Sequence, residues 1–238
     1  MANWSRHPRS DEDFEASKKE LLTAIPRMHK LGCKMVRGMS FLVPTDEPGD
    51  SPALEKIIFA KVNELVKICE DNGIIYGHEN CMNYGGMSHV HTLRLLDAVK
   101  SPAFTLIFDT GNPTFNYRQL GLKPYPLQSS WEFYSNVKQF ISYVHIKAAT
   151  ALPPADGSRP QARFTFAGEG CGDIRAILKD LKESGYDGGI SMEPHVGSVF
   201  HDPNGNPNSP EAKKFRHDIY IKYCHHFEQL LRDCGWTL

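Results

Sequence analysis

The chain has 238 residues, 40% hydrophobic and 23% charged, a composition typical of a folded globular protein rather than a disordered one. Lys and Arg number 27 against 28 Asp and Glu, so the net charge is -1, which argues against a protein built to coat nucleic acid or anionic membrane. No apolar run approaches the roughly 20 residues of a membrane helix, and the N-terminal residues lack the apolar core of a signal peptide.

The cysteines are scattered along the chain. No two of them form a Cys-x-x-Cys pair, which excludes a zinc ribbon or a thioredoxin-type motif. In a chain of this length without a secretory signal, we favour free thiols in a reducing compartment over disulfides. We therefore expect a cytoplasmic protein in which all six cysteines are free: Cys33, Cys69, Cys81, Cys171, Cys224 and Cys234.

Short apolar strands alternate with amphipathic helices along the chain. The first helix begins within residues 10–13, a serine followed by three acidic residues, and ends at Gly32. Residues 151–163, rich in Pro, Ala and Gly, predict a surface loop, and 201–210 predict an exposed cluster of turns. The other predicted elements are strand 33–37, helix 53–72, strand 74–79, helix 89–99, strand 104–109, helix 130–140, strand 141–147, helix 173–184, strand 189–193 and helix 211–233.

This alternation predicts an α/β fold with a parallel sheet and right-handed crossovers. The strands are apolar throughout, as expected where helices cover both sheet faces or where the sheet closes into a barrel. No composition shift marks a domain boundary, so we expect a single domain over residues 1–238.

Four predicted strands end in a side chain that can bind a metal. In a parallel barrel the C-terminal strand ends converge on one rim, where active sites form. Three carboxylates and an imidazole suit Mn²⁺, Mg²⁺, Co²⁺ or Zn²⁺ better than a soft metal. A single acid at a strand end could equally cap the next helix, and the histidine could be a buried structural residue. The four residues are Glu79, Asp109, His145 and Glu193.

Six segments together resemble the sugar phosphate isomerase/epimerase superfamily, the xylose isomerase-like or AP endonuclease family 2 TIM barrels. Each is weak alone, but the six follow one another in the family order. They are LGCKMVRG (31–38), IIYGHEN (74–80), FTLIFDTGN (104–112), YVHIKA (143–148), GEGCGD (168–173) and GYDGGISMEPH (185–195). The resemblance implies a (β/α)8-barrel type of fold.

The resemblance also implies a cofactor, one divalent metal ion held by Glu, Asp, His and Glu. These ligands match Glu79, Asp109, His145 and Glu193 in this chain. We expect Mn²⁺ first, with Mg²⁺, Co²⁺ and Zn²⁺ as alternatives.

The strands that can be assigned correspond to the fourth to eighth of the family. The first βα units of the family therefore have no counterpart in the pattern, and we expect an N-terminally truncated or incomplete barrel. Five strands cannot close a normal eight-stranded barrel, because closure fixes strand number, tilt and shear together. A shortened sequence and a partner chain that completes the barrel both remain open. We expect the chain to form a homo-oligomer or to be only marginally stable.

The resemblance to ketose 3-epimerases implies a mechanism for the two glutamates. Glu79 and Glu193 would be both metal ligands and the catalytic acid–base pair. One removes the proton beside the ketose carbonyl to give a cis-enediolate, and the other returns a proton on the opposite face.

Polar residues around the ligands are the expected contacts of a small-molecule sugar substrate. Lys147 follows His145 by two residues and so points to the same side of its strand. The family pattern HxKD reads HIKA here, with Ala148 in place of the acid. A rim ion pair is the competing role for Arg37 and for Lys147. The expected substrate-binding residues are Arg37, Asn112, Lys147, Arg163 and His195.

Three other functions stay open. A trinuclear zinc endonuclease would need further histidines, and where such enzymes carry a histidine after the Asp ligand this chain has Asn112. A keto-sugar or keto-inositol dehydratase would use the same ligand set, because its reaction also begins with proton abstraction beside a carbonyl. A catalytically inactive fragment or sugar-binding module is the alternative without chemistry. We expect neither a nucleic-acid nor a membrane partner.

Overall fold

The computed structural model of the protein describes residues 5–44, 47–152, 154, 160–196, 206 and 208–238. The helices are α1 (Asp11–Leu31), α2 (Pro52–Asp71), α3 (His89–Ala98), α4 (Ser130–Val137), α5 (Ile174–Glu183) and α6 (Pro210–Asp233). The strands are β1 (Met35–Gly38), β2 (Ile75–Glu79), β3 (Phe104–Asp109), β4 (Ile141–Ile146), β5 (Ala148–Leu152), β6 (Gln161–Thr165) and β7 (Gly189–Met192). Short 3₁₀ turns cover Tyr84–Met87, Asn112–Phe115 and Lys138–Phe140.

A five-stranded parallel sheet organises the described residues, in the order β1-β2-β3-β4-β7. The pairing aligns Glu79 with Ile107 and Asp109 with His145. Because the strands run in the same direction, their C-terminal ends lie along one edge of the sheet. The predicted parallel α/β fold is confirmed, and the sheet has five strands where a closed barrel of this type has eight.

Serine side chains fix where most of the helices begin. The residue before each of α1, α2, α3, α4 and α6 is a serine whose hydroxyl accepts the backbone N–H three residues later. Such a cap satisfies one of the helix's free N–H groups and stabilises it by about 1 kcal/mol. At the other end of α1, Gly32 adopts φ 70°, and its N–H is donated to His29 and Met28 carbonyls. The predicted end of the first helix at Gly32 is confirmed.

Alternation along each strand separates the core from the opposite face of the sheet. Successive side chains of a strand point to opposite faces, so apolar and polar residues can be sorted by position. Phe108 of β3 and Val144 of β4 belong to an apolar cluster with α4, α5 and α6, while Tyr76 of β2 packs in a second cluster with α1 and α2. Their neighbours Asp109 and His145 therefore lie on the other face, away from these helices.

An antiparallel hairpin follows β4, and the predicted surface loop over 151–163 is wrong in that part. Strand β5 pairs with β6, aligning Ala149 with Phe164 and Thr150 with Arg163. Strand β6 alternates exposed Gln161 and Arg163 with half-buried residues, the pattern of a strand with one solvent face. The proline-rich composition of the segment concealed this short alternation.

Three remaining expectations concern the rest of the chain. All six cysteines are free, as predicted. Among the described helices, none is long and apolar enough to cross a bilayer. The predicted cluster of turns at 201–210 falls largely outside the described residues, since 201–205 and 207 are not described.

Candidate metal centre

Four side chains from four neighbouring strands meet at the C-terminal edge of the sheet. Each offers one ligand atom, and these atoms all lie within 4.8 Å of one another. Glu79 and Asp109 are the last residues of β2 and β3, and His145 lies one residue before the end of β4. Glu193 directly follows β7, and its N–H is donated to the Ile146 carbonyl at 3.0 Å. The structure thus brings together the four residues predicted as metal ligands.

Glu79 is buried between a histidine and an arginine. His145 Nδ1 donates to Glu79 Oε1 at 2.7 Å, and Arg37 Nη1 donates to Oε2 at 2.8 Å. Burial alone would raise the pKa of Glu79, but the His145 hydrogen bond and the Arg37 charge outweigh it and lower that pKa. Glu79 is therefore ionised at neutral pH. Arg37, half exposed, forms the rim ion pair that the sequence left as one of its two roles.

Asp109 divides its two oxygens between the backbone and the cluster. Oδ1 accepts the N–H groups of Gly111 at 2.9 Å and Asn112 at 2.7 Å, where the 3₁₀ turn begins. Oδ2 faces the other ligands, with Lys147 Nζ at 2.9 Å. Burial raises the pKa of Asp109 to about 6, against the lowering effect of the Lys147 charge. Asp109 is thus both a turn cap and a candidate ligand. The sequence offered the cap and the ligand as alternative roles, and here one oxygen suits each.

Lys147 places a buried ammonium beside the carboxylates. Its Nζ lies 2.9 Å from Asp109 Oδ2 and 3.1 Å from Glu193 Oε2, and donates to Asn112 Oδ1 at 3.2 Å. Burial by itself lowers the pKa of Lys147, but the charges of the neighbouring carboxylates more than offset this and raise it. Lys147 is therefore charged and balances part of the negative charge of the cluster.

Glu193 is the most accessible of the four, with 32% of its side chain exposed. Its Oε2 lies 3.5 Å from His145 Nδ1, and its Oε1 lies 3.5 Å from His195 Nε2. Burial tends to raise the pKa of Glu193, but hydrogen bonding with His145 and His195 lowers it well below the ordinary value. Hydrogen bonds to Glu193 and Glu79 raise the pKa of His145 to about 9, although burial works in the opposite direction.

Aromatic rings line the hairpin side of the cluster. The ring of Phe164 on β6 lies 4.7 Å from that of His195 and 5.9 Å from that of Phe115, centroid to centroid. Arg163, the neighbour of Phe164, is exposed on β6 and belongs to the hairpin rather than to the ligand cluster. Sequence reasoning missed Phe115 and Phe164, because their approach depends on the hairpin.

Asn80 is a second omission from the sequence prediction. Its side chain is buried and hydrogen-bonds the backbone of Asp109. The available signal was its position, directly after Glu79.

The donor set fits a hard divalent cation. Three carboxylates and one imidazole converge where two of the acids, Glu79 and Asp109, are buried and close together. Like charges at this separation repel one another in a protein interior unless cations offset them. Oxygen and imidazole donors are those that Mg²⁺, Mn²⁺, Co²⁺ and Zn²⁺ accept. Glu79, Asp109, His145 and Glu193 are thus the residues able to hold such an ion.

The sequence matches the xylose isomerase-like TIM barrel family over residues 2–219, and the chain belongs to this family. The superfamily expected from the sequence motifs is thereby confirmed, and so is the TIM-barrel class of the incomplete sheet.

Three relatives illustrate the similarity. The chain is 26% identical over 211 residues to the inosose dehydratase of Clostridium beijerinckii, covering 80% of this chain and 67% of that protein. A xylose isomerase-like TIM barrel protein of Mycobacterium smegmatis, solved with magnesium, has a TM-score of 0.64 at 20% identity over 97% of this chain and 72% of that chain. The D-allulose 3-epimerase of Methylomonas sp., solved with D-allulose, has a TM-score of 0.57 at 20% identity over 79% and 59%.

The chain therefore spans between 59% and 72% of the length of these three proteins. The two structural similarities establish the fold that the chain shares with them.

Proposed function

We propose that this chain binds one divalent metal ion and isomerises or epimerises a small keto sugar. The observation that carries the proposal is that the carboxylates of two glutamates both approach the same imidazole nitrogen. His145 Nδ1 lies 2.7 Å from Glu79 Oε1 and 3.5 Å from Glu193 Oε2. Mn²⁺ is the metal we propose first, with Mg²⁺, Co²⁺ or Zn²⁺ able to use the same donors. The proposed ligands are Glu79, Asp109, His145 and Glu193.

The ionisation states of the two glutamates suit general acid–base catalysis. A bound metal ion would supply Lewis-acid polarisation of the substrate carbonyl. Glu79 and Glu193 have lowered pKa values and are ionised at neutral pH, so either can accept a proton from the carbon beside the carbonyl. Removal of that proton gives a cis-enediolate. The other glutamate, once it has taken up a proton from solvent, would return that proton on the opposite face of the sugar. The charges of Arg37 and Lys147 offset the negative charge that develops.

Polar side chains around the ligands would orient the sugar. Asn112 Nδ2 is buried without a hydrogen-bond partner among the described residues, so it has a donor left for a substrate oxygen. Lys147 and His195 lie beside Glu193, and Arg37 lies beside Glu79. Arg163 would contribute from the hairpin. The D-allulose bound to the Methylomonas relative supports a small sugar as the substrate class.

The setting of the reaction is also part of the proposal. We propose one domain over residues 1–238, a homo-oligomer, a cytoplasmic location, and no nucleic-acid or membrane partner. The near-neutral net charge and the free cysteines support the partner and compartment assignments.

Dehydration of a keto sugar or keto-inositol is the second candidate. It is favoured by the similarity to an inosose dehydratase, which extends over 80% of this chain. Both reactions begin with proton removal beside a carbonyl, so the same two glutamates would serve. They differ in what leaves the substrate: dehydration expels a hydroxide from the next carbon, whereas epimerisation returns the proton.

The experiment is a metal titration followed by a substrate screen. The protein is stripped with EDTA, and its thermal unfolding is followed with Mn²⁺, Mg²⁺, Co²⁺ and Zn²⁺. At about 100 times the Kd, a bound ion stabilises the fold by roughly 2.7 kcal/mol. We expect a shift in the wild type and its loss in Glu193→Gln. Glu183→Gln, on the exposed part of α5, is the matched control and should keep the shift.

The metal-loaded protein is then incubated with keto sugars and keto-inositols in D₂O. Deuterium at the carbon beside the carbonyl, read by NMR, reports proton abstraction. A deuterated epimer identifies the epimerase, and a product with a double bond conjugated to the carbonyl identifies the dehydratase. A folded wild type that shows no metal-dependent shift would exclude the metal site and favour a sugar-binding module.

A further inference from the structure

The carboxamide of Asn80 makes two hydrogen bonds with the backbone of one candidate metal ligand. Asn80 Nδ2 donates to the Asp109 carbonyl at 3.0 Å, and Asn80 Oδ1 accepts the Asp109 N–H at 2.6 Å. The side chain is 5% exposed, so water does not compete for these groups. A carboxamide carries a donor and an acceptor like those of a peptide group, and here each meets its counterpart on the backbone of Asp109.

This contact continues the sheet beyond the end of a strand. The parallel pairing of β2 with β3 reaches Glu79 and Ile107. The main chain then turns, and Cys81 donates its N–H to the Glu79 carbonyl at 2.9 Å. Because β3 extends two residues further, Asp109 would lack a partner on that side. The side chain of Asn80 takes the place of the missing strand backbone.

Asp109 is consequently held from both sides. On the far side it is aligned with His145 of β4, and the next N–H, from Thr110, is donated to the His145 carbonyl at 3.0 Å. Its Oδ1 is already engaged by two backbone N–H groups of the following turn. With the backbone and Oδ1 fixed, the position of Oδ2 toward the cluster is determined. Asn80 also follows Glu79 directly, so one residue links two of the ligands.

We infer that Asn80 is a positioning residue that sets the placement of Asp109 relative to Glu79 and thereby the affinity of the centre for a divalent metal ion. The inference rests on the proposed metal site and adds a residue outside the four ligands to it. Groups that orient metal ligands without touching the ion commonly change metal affinity by about 10–100-fold when they are removed.

The test compares Asn80→Leu with a matched loss of a buried amide. Leucine is close to asparagine in size but leaves both the N–H and the carbonyl of Asp109 without a partner. Gln128→Leu is the control, because Gln128 is also buried and its Nε2 donates to the Gly86 carbonyl at 2.9 Å rather than to a ligand residue. Asn80→Ser is a milder second variant that keeps a small polar group if the leucine variant folds poorly.

Binding of Co²⁺ to the EDTA-stripped proteins is measured by calorimetry, and the visible absorption of Co²⁺ is recorded at saturation. The stability of each protein in EDTA is measured alongside. We expect the two Asn80 variants to bind Co²⁺ about 10–100-fold more weakly than wild type and to change the visible band. Gln128→Leu should lose stability but keep both the affinity and the band.

The outcomes separate this inference from the proposed function. Wild-type affinity and an unchanged band in a folded Asn80 variant would overturn the positioning role alone. Equal loss of affinity in the Asn80 and Gln128 variants, in proportion to their loss of stability, would also overturn it. Failure of the wild type to bind Co²⁺ would overturn the metal site and this inference together.

Discussion

The two sides of the ligand cluster hold the same residue type in different ways. On the β2 side, Glu79 is 1% exposed and ends a strand that is paired on both edges. On the β7 side, Glu193 is 32% exposed and follows the last strand of the sheet, whose four residues are all half-buried. Glu79 is held by Arg37 and His145, whereas Glu193 has Lys147 within 3.1 Å and two histidines at 3.5 Å.

This difference separates a fixed carboxylate from an accessible one. Several neighbours support the Glu79 side: Asn83 Nδ2 donates to the Glu79 carbonyl at 3.3 Å, and the next residue, Asn80, binds Asp109. Among the described residues, the side-chain contacts of Glu193 are longer than those of Glu79. A glutamate that is buried and tightly paired can define the geometry of the site, while an exposed one can adjust to a substrate. Under the proposed function, we expect Glu193 to be the glutamate that adjusts its position to the substrate during proton transfer.

The largest expected effect is on proton transfer. Replacing either carboxylate of an acid–base pair by an amide removes a contribution of about 10²–10⁴-fold. We expect both Glu79→Gln and Glu193→Gln to lose epimerisation or dehydration by a factor in this range. They should differ in stability in EDTA, because Glu79→Gln leaves Arg37 and His145 beside a neutral amide, whereas Glu193 is more exposed. NMR in D₂O and urea unfolding measure the two quantities; equal stability losses would contradict the distinction between the two sides.

The next largest effect is the loss of stability when the cation on either side, Lys147 or Arg37, is removed. Removing one partner of a buried ion pair costs about 3–5 kcal/mol, and the Lys147 and Asp109 side chains are 6% and 0% exposed. We expect Lys147→Met to lower the free energy of unfolding in EDTA by that amount. Arg37 is 43% exposed and Glu79 keeps His145 as a second partner, so Arg37→Met should cost less than Lys147→Met. Urea unfolding measures both, and Lys147→Met/Asp109→Asn should recover part of the loss.

A smaller effect is the pH dependence of the metal-free protein. The pKa of His145 is raised to about 9 in the folded state from an ordinary 6.5, so the folded state holds this proton more tightly. The stabilisation is therefore complete below pH 6.5 and is lost as pH rises through 9. We expect wild type in EDTA to lose about 1–3 kcal/mol over this interval. His145→Gln should flatten the curve; a wild-type stability that rises with pH there would contradict the assignment.

Much of the sheet could be predicted because each strand is a short apolar run between clear breaks. The bounds of β3 were predicted as found, and β2 and β4 differ by one residue at one end. The convergence of Glu79, Asp109, His145 and Glu193 followed from a general rule, since parallel strands end at one edge. The position of each residue at the end of a predicted strand was enough to predict that the four would lie close together.

The rest depends on distances between strands that the order of residues does not contain. The ammonium of Lys147 lies among the carboxylates because β4 is aligned with β3, and the same holds for the contact of Asn80 with Asp109. The hairpin was missed because β5 is built from Ala and Thr with one terminal Leu, a composition without a strong strand signal. Arg163, expected as a substrate-binding residue, therefore lies on a strand that the sequence did not predict.

The buried ammonium of Lys147 has a consequence for the order of events when the protein is made. Clusters of acids that lack any counter-charge oppose folding until an ion arrives. Here a side chain of the same polypeptide supplies a positive charge within 3.1 Å of two of the acids. Under the proposed function, the newly synthesised chain would reach its native fold first and bind its ion afterwards, so the supply of metal would govern activity rather than the yield of folded protein.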